Sequence, residues 1–569
     1  LKPSKRFLEH KYQNLSPQHK RFFGLQYFDF AVPNRHHTGM STHTPLTGET
    51  SIRQALHPPL FGLAVSALIA FYLFNVGIYF DFTMDDAGIS FRYGANLFDG
   101  IGLAYNPGER VEGYSNFGFV VLSGFIYKIL AWVGTGREVL IFAIKLLNLV
   151  AGALTGLLCY RFCREILQRD RFQAILPVVL LAANGAFIVN VASPLETTLC
   201  GTLIMAMMLG LSRYLAEPAA RGLGSFGVLA ALGAILALWR IDSPLFMAIF
   251  GMALLTARRF RLQRRDWQLM GIWAVIFIAY TSFRFAWFGD IVNNPFYTKV
   301  KFRMSLASPF ECKYVTGFFG DYLGGNGWVF LAILGAVLIR APRRYGLPAA
   351  LILGQWLFIS IVNGDWMPAY RFWAVVVPCI CIVLTGLFDI PLRFVSVPVE
   401  RFIKLGLTLA VVSYWFTHAQ VCHKASSGFT PFRCYSQWRD FSPHRLNPNW
   451  QTADWLNAHA DKNAVIAIQE AGFIPFLTQL KAIDTYGLCN RELARMDGFR
   501  TSLGLELNWN PNEPGTRYIL SRKPDAIVVG PCSDWASAPE RFLDTYLLAA
   551  TPRAGFNVFR REDSERIHP

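Results

Sequence analysis

Residues 82–100 read FTMDDAGISFRYGANLFDG, and they begin one residue after PPLFGLAVSALIAFYLFNVGIYF (58–80), an apolar run with no charged side chain. Crossing a hydrocarbon layer takes roughly 20 apolar residues, so this run is long enough to span a membrane. The chain therefore leaves the bilayer and within a few residues presents two adjacent carboxylic acids, Asp85 and Asp86.

Comparable runs recur from about residue 59 to about residue 420, separated by short polar or arginine-rich pieces. The 569-residue chain is 53% hydrophobic and only 16% charged, too apolar for a soluble protein of this size. The expected architecture is an α-helical polytopic membrane protein of about 11 spans with a small C-terminal extracytoplasmic α/β domain. The formal charge of +16 is concentrated in the pieces between spans. Basic loops there mark the cytoplasmic side, so the charge argues for topology and against nucleic acid as a partner.

Taking residues 1–57 as a poorly ordered, basic cytoplasmic tail, the first span delivers Asp85 and Asp86 to the outer face. The next apolar piece, GFVVLSGFIYKILAWVG (118–134), is expected to be an interfacial helix near 117–133. Were it to cross, the span at about 139–160 would leave the basic RFCREILQRDR segment outside. The remaining spans then alternate, at about 174–191, 196–214, 223–239, 244–257, 268–287, 322–339, 346–362, 372–390 and 403–420. Residues 58–423 form the membrane domain, and 424–569 lie outside. The threading puts the C-terminal domain on the side opposite the basic loops.

The polar clusters that are not arginine loops then share the outer face: MDDAGISFRYGANL, NPGERVEGYSNF, ASPLETTL, WRIDSP, WFGDIVNNPFYTKV and NGDWMPAYRF. In the C-terminal part, AVIAI, KAIDTYG and RKPDAIVVG read as strands, and LLAATPRAGFNVFRRED reads as a hairpin. No phosphate loop or metal motif accompanies them. Cys159, Cys163, Cys200, Cys379 and Cys381 are expected as apolar fillers, whereas one pair among Cys422, Cys434, Cys489 and Cys532 is open to bridging in an oxidising compartment.

One carboxylate of the Asp85–Asp86 pair can act as general base while the other holds a cation or a substrate hydroxyl; both also suit a helix N-terminus. Neighbours on a helix point about 100° apart, so the two do not reach one atom in the same way. Arg92, Arg240, Lys299, Lys301 and Arg371 sit among apolar or aromatic neighbours, a setting that suits a phosphate whose tail stays in lipid. Each alone reads more readily as a snorkelling side chain than as a phosphate ligand. Asp242 and Asp365 are close enough in sequence to pair with Arg240 and Arg371, and Glu196 and Asp290 stand at span ends. Trp366 fits an interfacial aromatic belt or a stacked sugar ring.

The ordered set of these motifs closely resembles the GT-C class of polyprenyl-phosphate-dependent membrane glycosyltransferases. Within that class it looks most like the terminal arabinofuranosyltransferases of the mycobacterial cell wall and their Gram-negative relatives. The resemblance covers most of residues 59–530, and QEAGFIPFLTQLKAIDTYGLCNRELAR matches the external tail of that group. It implies a sugar, arabinofuranose first, carried on a polyprenyl phosphate and transferred to a glycan, lipid or protein acceptor outside the membrane. A bacterial cytoplasmic (inner) membrane, with the site and the C-terminal domain on its periplasmic side, is what the motif resemblance implies. By position, Asp85 and Asp86 match the catalytic acid pair, and Arg371 and Lys299 border the donor cavity. Arg240 and Arg92 are further candidates for the donor phosphate. Glu196, Asp242, Asp290, Asp365, Trp366 and Tyr114 are candidates for binding substrate. A divalent cation is compatible with the acid pair but required by nothing in the sequence. Three positions depart from the group: Gly88 where a bulky residue is common, Pro194 for a Gly before Leu-Glu-Thr, and Asn363 for a Gly before Gly-Asp-Trp. Transfer of mannose or aminoarabinose, and a non-enzymatic lipid-binding or transport role, are the alternatives. Transporters, however, keep polar groups near the midplane on paired broken helices, and these polar groups cluster at one face.

Overall fold

A computed structural model describes residues 48–216, 222–300, 312–324, 327–365, 367, 369–389, 395–419, 448–496, 512–530, 541–543, 545–553 and 556–568. Residues 1–47 of the expected basic tail lie outside this set, as do Lys301, Trp366, Cys422, Cys434 and Cys532. Residues 48–57 continue the first membrane helix, Gly48–Ile78.

The expected spans fall on helical segments, but 174–191 is broken into Arg171–Ala183 and Gly185–Ala192, and 372–390 into Arg371–Ala374, Val377–Leu384 and the turn Thr385–Asp389. Five are long and apolar enough to cross a membrane, or six if the bent pair Arg171–Ala183 and Gly185–Ala192 is one span. Leu223–Ala237, Ser243–Ala257, Trp328–Arg340 and Val377–Asp389 are apolar but shorter. At 1.5 Å per residue a 15-residue helix covers only about 22 Å, and the sequence runs looked longer because they include apolar turn residues such as Trp239. The expected interfacial segment is the helix Phe117–Trp132.

The 65° bend at Asn184 has a local cause. The Asn184 side chain accepts from Phe187 N at 3.0 Å, capping a second helix where the first one ends. Beyond it, Asn148 donates to the carbonyls of Ser193 and Leu195 at 2.7 and 2.8 Å, fixing the turn that carries Glu196. At the end of the first helix, Lys145 donates to the carbonyls of Phe80 and, at 3.0 Å, Phe82. These two buried polar side chains hold the backbone that leads into Asp86 and into Glu196.

The C-terminal part is a six-stranded mixed sheet in the order β2-β1-β3-β6-β5-β4, with β1 Val465–Ile468, β2 Lys481–Asp484, β3 Ala526–Val529, β4 Arg541–Phe542, β5 Tyr546–Arg553 and β6 Phe556–Arg561. The parallel half aligns Ile466 with Ala482 and Ala526, and the antiparallel half aligns Ile527 with Phe559. The four stretches read as strands from the sequence are strands. Their buried face shares one core with the first outer loop: Ile89, Tyr93, Tyr105 and Tyr114 pack with Ile466, Ile468, Ile474 and Val528. The C-terminal domain is thus built onto the helix Asp86–Phe98 and the loop that follows it.

Candidate active site

A cavity of about 370 Å³ opens where these parts meet. Asp86, Tyr114, Glu196, Arg240, Lys299, Asp365 and Arg371 line it, gathered from four of the outer polar clusters and from the two that supply Tyr114 and Lys299. Ile241, Phe358, Ile361, Val362 and Phe372 form an apolar part of its wall. Ile241 and Ile361 are each 37% exposed at the protein surface, so this wall reaches the outside of the helix bundle.

Asp86 opens the helix Asp86–Phe98, and its carboxylate meets Lys299 Nζ at 3.0 Å. Lys299 lies on a π-helical turn, Phe296–Val300, of a kind that often marks functional sites. That turn is held by two asparagines the sequence reading did not single out. Asn293 donates to Tyr114 O at 2.9 Å, and Asn294 donates to the carbonyls of Gly487 and Leu488 at 2.7 and 3.0 Å. The Tyr114 hydroxyl and Asn293 Oδ1 are buried, and among the described residues neither has a hydrogen-bond partner.

Deeper in the wall, Arg240 is fully committed. Its Nη1 reaches Glu196 at 3.0 Å, and its Nε and Nη2 form a fork on Asp242 at 2.9 and 3.1 Å. Asn116 bridges Glu196 (2.9 Å) and Ser90 (2.9 Å), extending the network to the Asp86 helix. Arg371 pairs with Asp365 through its Nε. This pair sits on a loop with Asn363 at φ 54° and Gly364 at φ 77°. A left-handed backbone tolerates Asn nearly as well as Gly, which accounts for the Asn363 departure.

Four expected site residues are not on the cavity wall. Asp85 points into the C-terminal domain, accepting from Gly472 N (2.7 Å), Phe473 N (2.8 Å) and Asn449 Nδ2 (3.0 Å). It caps the helix Phe473–Thr478 from outside the domain. Burial pushes its carboxyl up to about 7, against the pull of these donors. Arg92, expected at the donor phosphate, is a structural tie instead. It donates to Tyr105 O (2.7 Å), Asn106 Oδ1 (3.0 Å), Leu480 O (2.8 Å) and Pro475 O, meeting carbonyls at the end of that same helix. Asp242 stands behind Arg240. Asp290 clips Arg491 and Arg495 of the C-terminal domain at 2.7 and 2.8 Å. The glycine at position 88 also has a reason here: a Cβ there would lie 2.3 Å from Gly472 C and 2.4 Å from Phe473 N.

Among the described residues no three His, Cys, Asp or Glu side chains converge as a metal-ligand set. The cavity carboxylates face basic side chains instead. Cys489 is a buried free thiol.

The arrangement is a helical bundle whose cavity is closed by a small mixed-sheet unit, a GT-C-like fold. A family model described only as a domain of unknown function (DUF8728) matches residues 437–563. No curated protein matches the chain. Among solved structures it is similar to ArnT from Cupriavidus metallidurans bound to undecaprenyl phosphate, at 14% identity and TM-score 0.53, over 90% of this chain and 98% of that one. It is also similar to the oligosaccharyltransferase AglB from Archaeoglobus fulgidus in complex with an inhibitory peptide and a dolichol-phosphate, at 11% identity and TM-score 0.50, over 82% of this chain and 69% of that one. The arabinofuranosyltransferase AftD from Mycobacteria matches at 14% identity and TM-score 0.46, over 88% of this chain and 40% of that one.

Proposed function

We propose that the protein is a membrane glycosyltransferase that moves a sugar from a polyprenyl-phosphate donor to a hydroxyl of a glycan, lipid or protein acceptor. The observation that carries this reading is the composition of one cavity: three basic side chains, Lys299, Arg240 and Arg371, share it with the carboxylates Asp86, Glu196 and Asp365, and part of its wall is apolar and reaches the outside of the helix bundle. That combination matches an amphiphile with an anionic head and a tail that cannot leave the bilayer. The fold shared with proteins solved with undecaprenyl phosphate and dolichol-phosphate supports it.

In the reaction, an acceptor oxygen forms the new bond to the anomeric carbon, and the carbon–oxygen bond to the phosphate breaks. The electron pair leaves with the phosphate, where Lys299 and Arg371 offset the charge. The acceptor proton passes to Asp86 as general base. Tyr114 and Asn293, with their unpartnered polar atoms, suit the hydroxyls of the bound sugar.

The motif resemblance makes arabinofuranose the first donor sugar to test, with mannose and aminoarabinose as the related alternatives. The helix Pro342–Ile361 carries Arg343 and Arg344 at one end and leads to Asp365 at the other, about 30 Å away. Basic loops and cavity therefore stand at opposite ends of the bundle. By the positive-inside bias this supports a cavity and a 424–569 domain that face outward, and with the motif resemblance our reading is an inner-membrane protein of about eleven spans. The test is to offer purified protein a panel of polyprenyl-phosphate sugars and score which is consumed. Consumption of one donor supports the reading, and a panel neither consumed nor bound would sink it.

A further inference from the structure

The charged groups of the cavity are already matched to one another before any phosphate enters. Three carboxylates of the cavity (Asp86, Glu196 and Asp365) face its three cations (Lys299, Arg240 and Arg371), and Asp242 backs Arg240 from behind the wall. A phosphate brought into such a site gains little unless a cation changes partners, because a low-dielectric wall penalises each uncompensated negative charge. The three cations are not equally able to do so. Arg240 has Nε, Nη1 and Nη2 all engaged, and its pair with Glu196 is 3% and 4% exposed. Arg371 and Asp365 are 12% and 3% exposed. Lys299 and Asp86 are the most open pair, 23% and 18% exposed. An ammonium is also a point charge that can rotate from one acceptor to another without giving up a bidentate geometry.

We infer that the donor phosphate binds by exchange: it takes Lys299 from Asp86, and the released Asp86 carboxylate becomes the base for the acceptor hydroxyl. This rests on the proposed function and adds a coupling to it. Lys299 holds Asp86 in an inactive pair until donor is present, so the acceptor is not deprotonated without a sugar to receive it. No bond other than hydrogen bonds is made or broken in the exchange.

The coupling predicts an effect that a purely structural ion pair would not produce. Removing the Asp86 charge should tighten binding of undecaprenyl monophosphate, because Lys299 loses one of the carboxylates that compete with the phosphate for it. A partly exposed pair is worth up to about 1 kcal/mol, so Asp86→Asn in full-length protein in detergent should bind this probe about fivefold more tightly than wild type. Lys299→Gln should bind it more weakly. The double variant Asp86→Asn/Lys299→Gln should match Lys299→Gln, with the gain abolished. The inference is overturned if Asp86→Asn binds no more tightly than wild type, or if the gain persists without Lys299, since that would be a general field effect. Thermal unfolding of each variant separates a binding change from a folding defect, and an unfolded Asp86→Asn is replaced by Asp86→Ser in the same cycle. Failure of wild type to bind the probe at all would instead strike the proposed donor class.

Discussion

Asp85 and Asp86 are adjacent in sequence and face different bodies: Asp86 meets Lys299 Nζ at 3.0 Å in the cavity, and Asp85 accepts from Gly472 N and Phe473 N of the C-terminal domain. One acid therefore lines the cavity and the other joins the C-terminal domain to the membrane helices. The join also sets the position of Asp86, one residue further along the chain.

Asp85→Ala should loosen that join. It strands two backbone N–H groups and the Asn449 amide, at a cost of about 1–3 kcal/mol. Thermal unfolding in detergent should show a lower midpoint, and protease should reach the 448–568 unit sooner. An unchanged midpoint and digestion pattern would contradict the role.

Close backbone packing at the same seam makes its glycines sensitive. A Cβ on Gly472 would lie 1.7 Å from Asp85 O, and one on Gly88 would lie 2.3 Å from Gly472 C. Backbone cannot move aside as a flexible side chain does, so Gly88→Leu, the bulky choice common in the resembling group, should cost about 1–3 kcal/mol or more. Wild-type stability in that variant would show that the seam is not packed as described.

Arg240→Ala would leave Glu196 and Asp242 buried without their cation. Breaking a buried pair by removing one partner costs about 3–5 kcal/mol, so poor folding, rather than a selective loss of donor use, is the expected phenotype. Arg371→Ala, by contrast, leaves Asp365 with the Lys299 charge and the Met367 backbone N–H, so it should fold with a smaller loss of stability and raise the donor KM. The reverse pattern in unfolding and kinetic assays would exchange their assignments.

Three acids outside the spans are pushed up chiefly by burial: Asp85 to about 7, Glu112 to about 7 and Glu470 to about 8. In the unfolded chain they lose their protons near pH ~4, whereas the folded protein keeps them until about 7–8. The folded state thus binds more protons in that window, and stability is highest at its acid end and falls as pH rises through it. The unfolding midpoint should drop between about pH 5 and pH 8, and Glu470→Gln should flatten the slope. A profile unaltered by that substitution would remove Glu470 from the effect.

Much of this was legible in the sequence because membrane threading is a coarse constraint. Once basic loops are assigned to one side, Asp86, Glu196, Arg240, Lys299, Asp365 and Arg371 must share the other, and the cavity brings them together. The strands were legible from their β-rich runs between turn residues. What was not legible depends on partners far along the chain. Arg92 reads as a membrane-level cation until Pro475 and Leu480 supply its acceptors. Asp290 reads as a span-end acid until Arg491 and Arg495 clip it. Asn116, Asn293 and Asn294 carry no charge and follow no spacing rule, although each lies inside a motif already marked as polar and outward.

The most direct test of the central claim compares transfer by purified wild type, Asp86→Asn and Asp85→Asn, using the donor selected from the polyprenyl-phosphate panel. The account predicts that Asp86→Asn folds and loses turnover by about 10² or more, while Asp85→Asn stays within about tenfold of wild type. Full turnover by a folded Asp86→Asn would contradict it.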